Sequence, residues 1–198
     1  MNMELSEKLI SMSEAESKAW LTLTQDGNRY EGVPKAFETL RLKNAEELNL
    51  IVKTQGWPEI SLVGEEGEKA AFKIARNTID KPELMKEFLK YIKKAVLKGE
   101  AKEYHEACLE DCILFHQNKP QLYGLFFDWD ETGKLAVNVQ NINKANENRK
   151  KLGLESIEKA ISNHENELLK EENGKPKDIK EHKRQAHEWA MSVGWISA

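Results

Sequence analysis

The stretch Gln55-Gly56-Trp57-Pro58-Glu59-Ile60-Ser61-Leu62-Val63-Gly64-Glu65-Glu66-Gly67 is the most informative part of the sequence, because it interrupts a series of helical patterns. A later segment, Lys119-Pro120-Gln121-Leu122-Tyr123-Gly124, has the same character. Glycine readily adopts positive φ angles and proline fixes its own φ, so both stretches are typical of sharp turns. We expect loop 56–67 to pack against segment 119–124, because loops that carry Trp57 and Tyr123 need burial of these rings to stay ordered.

Helical patterns lie on both sides of loop 56–67. Apolar residues recur at three- and four-residue spacing from Leu5 to Leu23, which is typical of an amphipathic helix. Asn44-Ala45-Glu46-Glu47 and Asp80-Lys81-Pro82-Glu83 have the pattern of capping boxes and predict that helices begin there. Glu65-Glu66 favours another helix start, because acidic side chains are stabilised at a helix N-terminus. A further helix is predicted over residues 102–116.

The pattern changes after residue 116. Residues 122–128 and 134–139 are predicted to be strands around Asp130-Glu131-Thr132-Gly133, which is a hairpin signal. A lone hairpin is not stable by itself and must pack on the helices. Asn143 is expected to cap a short helix that ends before Gly153. The predicted fold class is therefore mainly α, a compact helical domain with one small β-hairpin and a C-terminal helical extension.

The sequence becomes more polar towards its end. We expect residues 1–160 to form the helical domain with the hairpin, and residues 161–198 to form a polar C-terminal helical extension packed on it. Breaks are predicted at residues 25–28 and 171–176, where glycine occurs among polar residues. One side of the last segment carries apolar residues for docking, namely Ala186, Trp189, Ala190 and Val193.

Composition disfavours several classes of protein. The chain has 198 residues, a formal net charge of -4 and a pI of about 5.8, whereas a nucleic-acid binder usually has a basic excess. No apolar run is long enough for a membrane-spanning helix, and the first residues do not resemble a secretory signal. Cys108 and Cys112 do not suggest a disulfide framework, so a cytoplasmic location is expected.

Four places in the sequence resemble the uncharacterised bacterial domain-of-unknown-function family 6624 over about residues 5–160. They are Met12 with Glu16, the block at 55–75, Lys98-Gly99-Glu100, and Asp111 followed by segment 119–124. The resemblance implies that several polar family positions are altered in this chain.

The altered positions follow from the family pattern. The family's Asp-Gln pair corresponds to Glu16-Ser17, its histidine to Asn77, its Asp-Arg pair to Asp111-Cys112, and its Tyr-Gly-Thr-Gln pattern to Tyr123-Gly124-Leu125-Phe126. Histidine is the side chain best suited to proton transfer near neutral pH, so its replacement by Asn77 disfavours inherited catalysis.

Six residues are candidates for a ligand site. Glu16, Asn77, Asp111 and Gln121 could converge under loop 56–67 and bind a small polar ligand, with stacking from Trp57 and Tyr123. In the alternative interpretation the four polar side chains satisfy backbone groups and the two rings anchor loops. Asp111 is expected to be buried and hydrogen-bonded near Gln121 or Glu16, because an unpaired buried carboxylate is unfavourable.

Four possible zinc ligands share one face of a predicted helix, namely His105, Cys108, Cys112 and His116. One straight helix cannot wrap four ligands around a single ion, so the interpretation is two buried thiols and no metal or cofactor. His164, His182 and His187 are interpreted as surface residues.

Three functions remain open from the sequence. The first is a cytoplasmic binding or interaction module for an unknown protein or small polar ligand, with no nucleic acid and no membrane as partner. The second is an enzyme that acts on a small polar substrate, with Asp111 and Glu16 as acid–base candidates and Gln121 orienting the substrate. The third is a bacterial regulatory or immunity-type protein.

Overall fold

The computed structural model describes residues 1–25, 30, 32, 34–170 and 174–197. The described residues form a mainly α fold with one small antiparallel hairpin, as the sequence predicts. The helices are α1 (Met3–Gln25), α2 (Lys35–Gln55), α3 (Ile60–Arg76), α4 (Pro82–Leu97), α5 (Glu103–His116), α6 (Ile142–Lys151), α7 (Ile157–Leu168) and α8 (Ile179–Val193), and the strands are β1 (Asp128–Trp129) and β2 (Leu135–Ala136).

The chain divides into two compact units. The first contains residues 1–23 and 33–109, and the second contains residues 24–32 and 110–198. The boundary expected from the sequence, between residues 160 and 161, lies inside α7 and remains a prediction. Of the breaks predicted at 25–28 and 171–176, residues 26–28 and 171–173 lie outside the described residues.

The first unit contains α1 to α4 around an apolar core. Its fully buried side chains include Leu9, Leu48, Ile74, Phe88 and Ile92. The buried face of α1 is less apolar than the sequence pattern suggests, because Ser6, Ser13 and Glu16 are buried on it together with leucines. Polar groups inside the helical core therefore need partners from neighbouring helices.

Close packing brings α1 against α3 at Ser6 and Gly67. The Ser6 hydroxyl donates a hydrogen bond of 2.7 Å to the carbonyl oxygen of Val63. A Cβ atom at Gly67 would lie only 2.8 Å from Ser6 Oγ. A glycine is therefore required for this approach of the two helices.

Loop 56–67 is shorter than predicted. Helix α3 begins at Ile60 instead of Glu65, and it is kinked at Gly64, whose φ of 75° and ψ of 170° are not helical. The glycine that indicated a loop therefore marks a bend between two helical pieces, because only glycine adopts this region of φ and ψ without strain.

The two predicted capping boxes are wrong. Helix α2 begins at Lys35, so Asn44 lies inside it and directs its amide to Met12 and Glu16. The residue before α4 is Lys81, which makes no side-chain cap, while Asp80 pairs with Arg41 at 2.8 Å. Tertiary partners compete for both side chains, which a local pattern cannot reveal.

The second unit contains the hairpin and α6 to α8. Its strands are much shorter than predicted, pairing Asp128 with Ala136 and Trp129 with Leu135. Trp129 and Leu135 form a small core with Leu168. Helix α6 is capped by Asn141 and not by Asn143, since the Asn141 side chain accepts from the amide of Lys144.

Among the helices described, none combines the length and the apolar character needed to cross a bilayer.

Candidate functional site

Glu16 is the centre of a buried polar cluster in the first unit. Its side chain accepts hydrogen bonds from Asn44 Nδ2 at 2.8 Å and from Asn77 Nδ2 at 2.7 Å, one at each carboxylate oxygen. Asn44 also donates to the carbonyl oxygen of Met12 at 3.1 Å. The cluster therefore joins α1, α2 and the C-terminal end of α3.

Burial governs the acid–base behaviour of Glu16. Removal from water raises the pKa of its carboxyl above the ordinary value of 4.5, although the hydrogen bonds from Asn77 and Asn44 lower it in part. The positive charges of Arg41 and Arg76 act in the same lowering direction. The carboxylate is thus held by the protein on both oxygens.

Asp111 holds a tight turn in the second unit. Its carboxylate accepts from the backbone amides of Leu122 at 2.7 Å, Tyr123 at 3.1 Å and Leu125 at 3.1 Å. The side chain is fully buried, and this burial raises the pKa of Asp111 while the three amides oppose the rise. The prediction that Asp111 is buried and hydrogen-bonded is confirmed, and its partners are backbone groups just after Gln121.

The same turn is held from two further sides. Gln121 closes a reciprocal pair with Phe126, donating to its carbonyl oxygen at 2.8 Å and accepting from its amide at 2.9 Å. Arg149, which is buried on α6, donates to the carbonyl oxygens of Tyr123 at 3.2 Å and Gly124 at 3.0 Å. Segment 119–124 is therefore fixed by side chains that satisfy its backbone.

Trp57 has the contacts of an anchor in the first unit. It is 3% exposed, packs edge-on against Phe88 with ring centroids 6.3 Å apart, and donates from Nε1 to Glu68 Oε1 at 3.3 Å. Glu68 Oε2 in turn lies 2.8 Å from His105 Nδ1. The side chain of Phe72 stacks on His105 with ring centroids 4.1 Å apart.

Sequence reasoning missed Glu68. Glu68 lies in α3 among apolar residues that recur with helical spacing. This position predicts a buried carboxylate, and a buried carboxylate must have a partner. The sequence suggests a role for His105 only as a possible zinc ligand. Cys108 and Cys112 are buried thiols on α5, and within the described residues no group of His, Cys, Asp or Glu has the geometry to hold a metal ion.

A cleft opens in the second unit. Its volume is about 590 Å³, and residues of α5, the hairpin and α8 line it. The aromatic part of the lining consists of Phe115, His116, Phe126, Trp129 and Trp189. None of the six sequence candidates belongs to the described lining of this cleft.

An acid–imidazole pair lies in the cleft. His182 Nε2 is 3.3 Å from Asp128 Oδ1, and the ring of Tyr30 meets the His182 ring edge-on at 5.3 Å. Partial burial raises the pKa of Asp128, but the hydrogen bonds from His182 and the Trp129 amide bring it below its ordinary value of 3.8. His182 is only partly exposed, unlike the surface residue that the sequence suggested, because Asp128 and Tyr30 cover it.

The structure thus places the candidates in separate groups. Glu16 and Asn77 lie together in the first unit, and Asp111, Gln121 and Tyr123 lie together in the second. Convergence of the two groups, and packing of loop 56–67 against segment 119–124, stay predictions. The role of the six residues as ligand contacts also stays a prediction.

The fold and these sites define a mainly helical protein with a small hairpin and polar side chains that fix its turns. A family model described as "Family of unknown function (DUF6624)" matches residues 3–170. Since the match covers most of the 198 residues, the chain belongs to this family. Comparison with curated proteins and with solved structures gives no match.

Proposed function

We propose that this protein is a cytoplasmic binding module and that the cleft of the second unit is its ligand site. The observation that carries the proposal is the cleft of about 590 Å³. Ligand pockets typically have volumes of about 300–1,000 Å³ and combine apolar walls with a few polar groups. Phe126 and Trp189 supply such walls, and Asp128, His182 and Lys183 supply polar groups.

Catalysis by the predicted carboxylates has less support. Glu16 is 1% exposed and Asp111 is 0% exposed, and every carboxylate oxygen of both accepts a hydrogen bond from the protein. A general acid or base must come within hydrogen-bond reach of the substrate. The burial and hydrogen bonds of Asp111 and Glu16 are therefore explained better by structural roles than by roles as the acid–base groups of an enzyme.

The cellular setting is part of the proposal. The buried thiols of Cys108 and Cys112 support a reducing compartment such as the cytoplasm. Fractionation of cells that express the tagged chain tests this location. A bacterial regulatory or immunity-type role is one use of such a binding module, and the neighbouring genes test it.

The binding function is tested with 2-naphthamide, an uncharged aromatic probe, titrated into the ¹⁵N-labelled full chain. We expect chemical-shift changes at amides of the hairpin and α8. Ala186→Trp places a large ring in the cleft and should abolish these changes. The matched control is Gln185→Trp, since Gln185 precedes Ala186 on α8 and lies outside the described lining of the cleft.

The cleft is rejected as a ligand site under two conditions. In the first, neither 2-naphthamide nor the charged naphthyl probes introduced below perturb cleft residues. In the second, Gln185→Trp weakens binding as much as Ala186→Trp does, which would show that the loss reflects damage to α8.

A further inference from the structure

We propose that the cleft of the second unit selects an aromatic ligand that carries an anionic group, either a carboxylate or a phosphate. This inference rests on the proposed binding function. It adds the chemical class of the ligand. This class is inferred by comparing the cleft side chains that already have partners in the protein with those that have none among the described residues.

The rings give the cleft a surface for a planar ligand. Phe115 and Phe126 lie with ring centroids 5.7 Å apart, and His116 lies 5.3 Å from Trp189. Aromatic pairs prefer offset or edge-to-face arrangements at centroid distances of about 4.5–7 Å. A flat ring can therefore bind among these side chains at little conformational cost, because their own contacts already hold them.

The acidic groups of the cleft have partners within the protein. Asp130 Oδ1 accepts from the Thr132 amide at 2.8 Å, the Thr132 hydroxyl at 2.7 Å and the Lys134 amide at 3.0 Å. Asp128 Oδ1 accepts from the Trp129 amide at 2.8 Å and faces His182. Asp130 thus has its Oδ1 atom engaged within the hairpin turn, and Asp128 has its Oδ1 atom engaged by the hairpin backbone and by α8.

The two lysines of the cleft differ from its carboxylates in their lack of side-chain partners among the described residues. Among the described residues, no ion pair or side-chain hydrogen bond engages Lys119 or Lys183. Lys183 contributes only a longer-range charge to Asp128. An ammonium group is a point charge with three donors that suits carboxylate and phosphate equally.

Three histidines are also part of the lining of the cleft. His116, His182 and His187 line the cleft beside the lysines. The ring of Trp129, which could otherwise receive a cation, already has the Lys175 ammonium 5.3 Å from its centroid.

The test compares four probes of the same shape on the full chain, with dissociation constants measured by calorimetry. The probes are 2-naphthoate, 2-naphthyl phosphate, uncharged 2-naphthamide and cationic 2-naphthylmethylamine. We expect at least one anion to have a dissociation constant about tenfold lower than that of 2-naphthamide, or lower still. The reason is that a charge-assisted hydrogen bond contributes more binding free energy than a neutral one. Tight binding of only one of the two anions identifies the carboxylate or the phosphate as the group selected.

Variants assign the selectivity to the lysines. The double variant Lys119→Gln and Lys183→Gln should remove the advantage of the anions over 2-naphthamide. Lys144→Gln, at an exposed position of α6, is the matched control and should retain the advantage. Unchanged melting temperatures verify that all variants fold.

Three results separate the two proposals. Equal affinity for all four probes, or tighter binding of the amine, overturns anion selectivity and leaves the binding function intact. An anion advantage that survives in the double variant overturns the role of the lysines. Failure of every probe to bind the cleft overturns the binding function itself.

Discussion

Asn77 and Glu16 are joined by a hydrogen bond of 2.7 Å across 61 residues of sequence. The bond connects the residue that follows α3 to the buried face of α1, and Asn44 adds α2 to the same carboxylate. The position where the family resemblance implies a histidine thus carries an amide that donates to a buried acid. The Asn77 amide donates a hydrogen bond to the carboxyl group but does not accept a proton from it, so this residue has a structural role.

Glu16 is expected to make stability depend on pH in a defined direction. Burial raises the pKa of Glu16 in the folded state above the ordinary 4.5. Its contribution to the free energy of unfolding is therefore fully present below about pH 4.5 and is lost as the pH rises through the folded-state pKa. The wild type should therefore gain stability relative to Glu16→Gln on acidification. Urea unfolding of both proteins between pH 4 and pH 8 measures the difference.

The matched control for this experiment is Glu14→Gln, which removes an exposed carboxylate from the same helix. An equal pH dependence in the control would contradict the assignment to Glu16. So would a wild type that gains stability relative to Glu16→Gln as the pH rises.

Asp111→Ala is expected to destabilise the second unit. The substitution leaves the partly buried amides of Leu122, Tyr123 and Leu125 without their acceptor. Each unsatisfied buried group costs about 1–3 kcal/mol, so the melting temperature should fall by several degrees or more. Asp130→Ala is the control, because Asp130 accepts comparable hydrogen bonds at the exposed hairpin turn and should matter much less. Equal melting temperatures for Asp111→Ala and wild type would refute the structural role.

Gly64→Ala tests the kink in α3. The backbone at Gly64 has φ 75° and ψ 170°, and an added Cβ atom would lie 3.3 Å from the Met1 sulfur. A residue with a side chain in this region costs about 1–3 kcal/mol. Chemical denaturation should show a loss of that size for Gly64→Ala and almost none for Ser61→Ala, which is exposed in the same helix. A straightened, equally stable α3 in the variant would disprove the need for the kink.

Arg149→Lys is expected to loosen segment 119–124 despite conserving the charge. The guanidinium serves the carbonyl oxygens of Tyr123, Gly124 and Glu155, the last at 2.6 Å, and one ammonium cannot reproduce this planar set of donors. We expect a loss of about 1–3 kcal/mol in unfolding free energy and faster amide exchange in the segment. Lys150→Ala, at the exposed neighbouring position, is the control. Native-like exchange in Arg149→Lys would show that the charge alone is sufficient.

Much of the architecture could be predicted from local patterns. The helical periodicity predicted the fold class and the bounds of α5, and Asp130-Glu131-Thr132-Gly133 correctly indicated the hairpin turn. The family resemblance is confirmed by the match over residues 3–170. These features depend on residues that are close in the sequence, or on short sequence motifs that can be recognised without a structure.

The predicted helix caps failed where a side chain had two possible partners, although α4 does begin at Pro82 as expected. Asn44 fits a capping box, yet it lies inside α2 because Met12 and Glu16 accept from its amide. Asp80 also fits one, yet it pairs with Arg41. Local hydrogen bonds and tertiary hydrogen bonds have similar energies, so the sequence pattern cannot decide between them.

The sequence by itself determined the fold class, the hairpin turn and the family, because propensity, glycine and proline act over a few residues. Only the tertiary structure decided what the polar residues do. It gave Glu16 and Asp111 their amide partners, revealed Glu68 beside Trp57, and formed the cleft from side chains of α5, the hairpin and α8. The physical reason is that burial and hydrogen-bond partners depend on which distant residues meet, and periodicity contains no information about that.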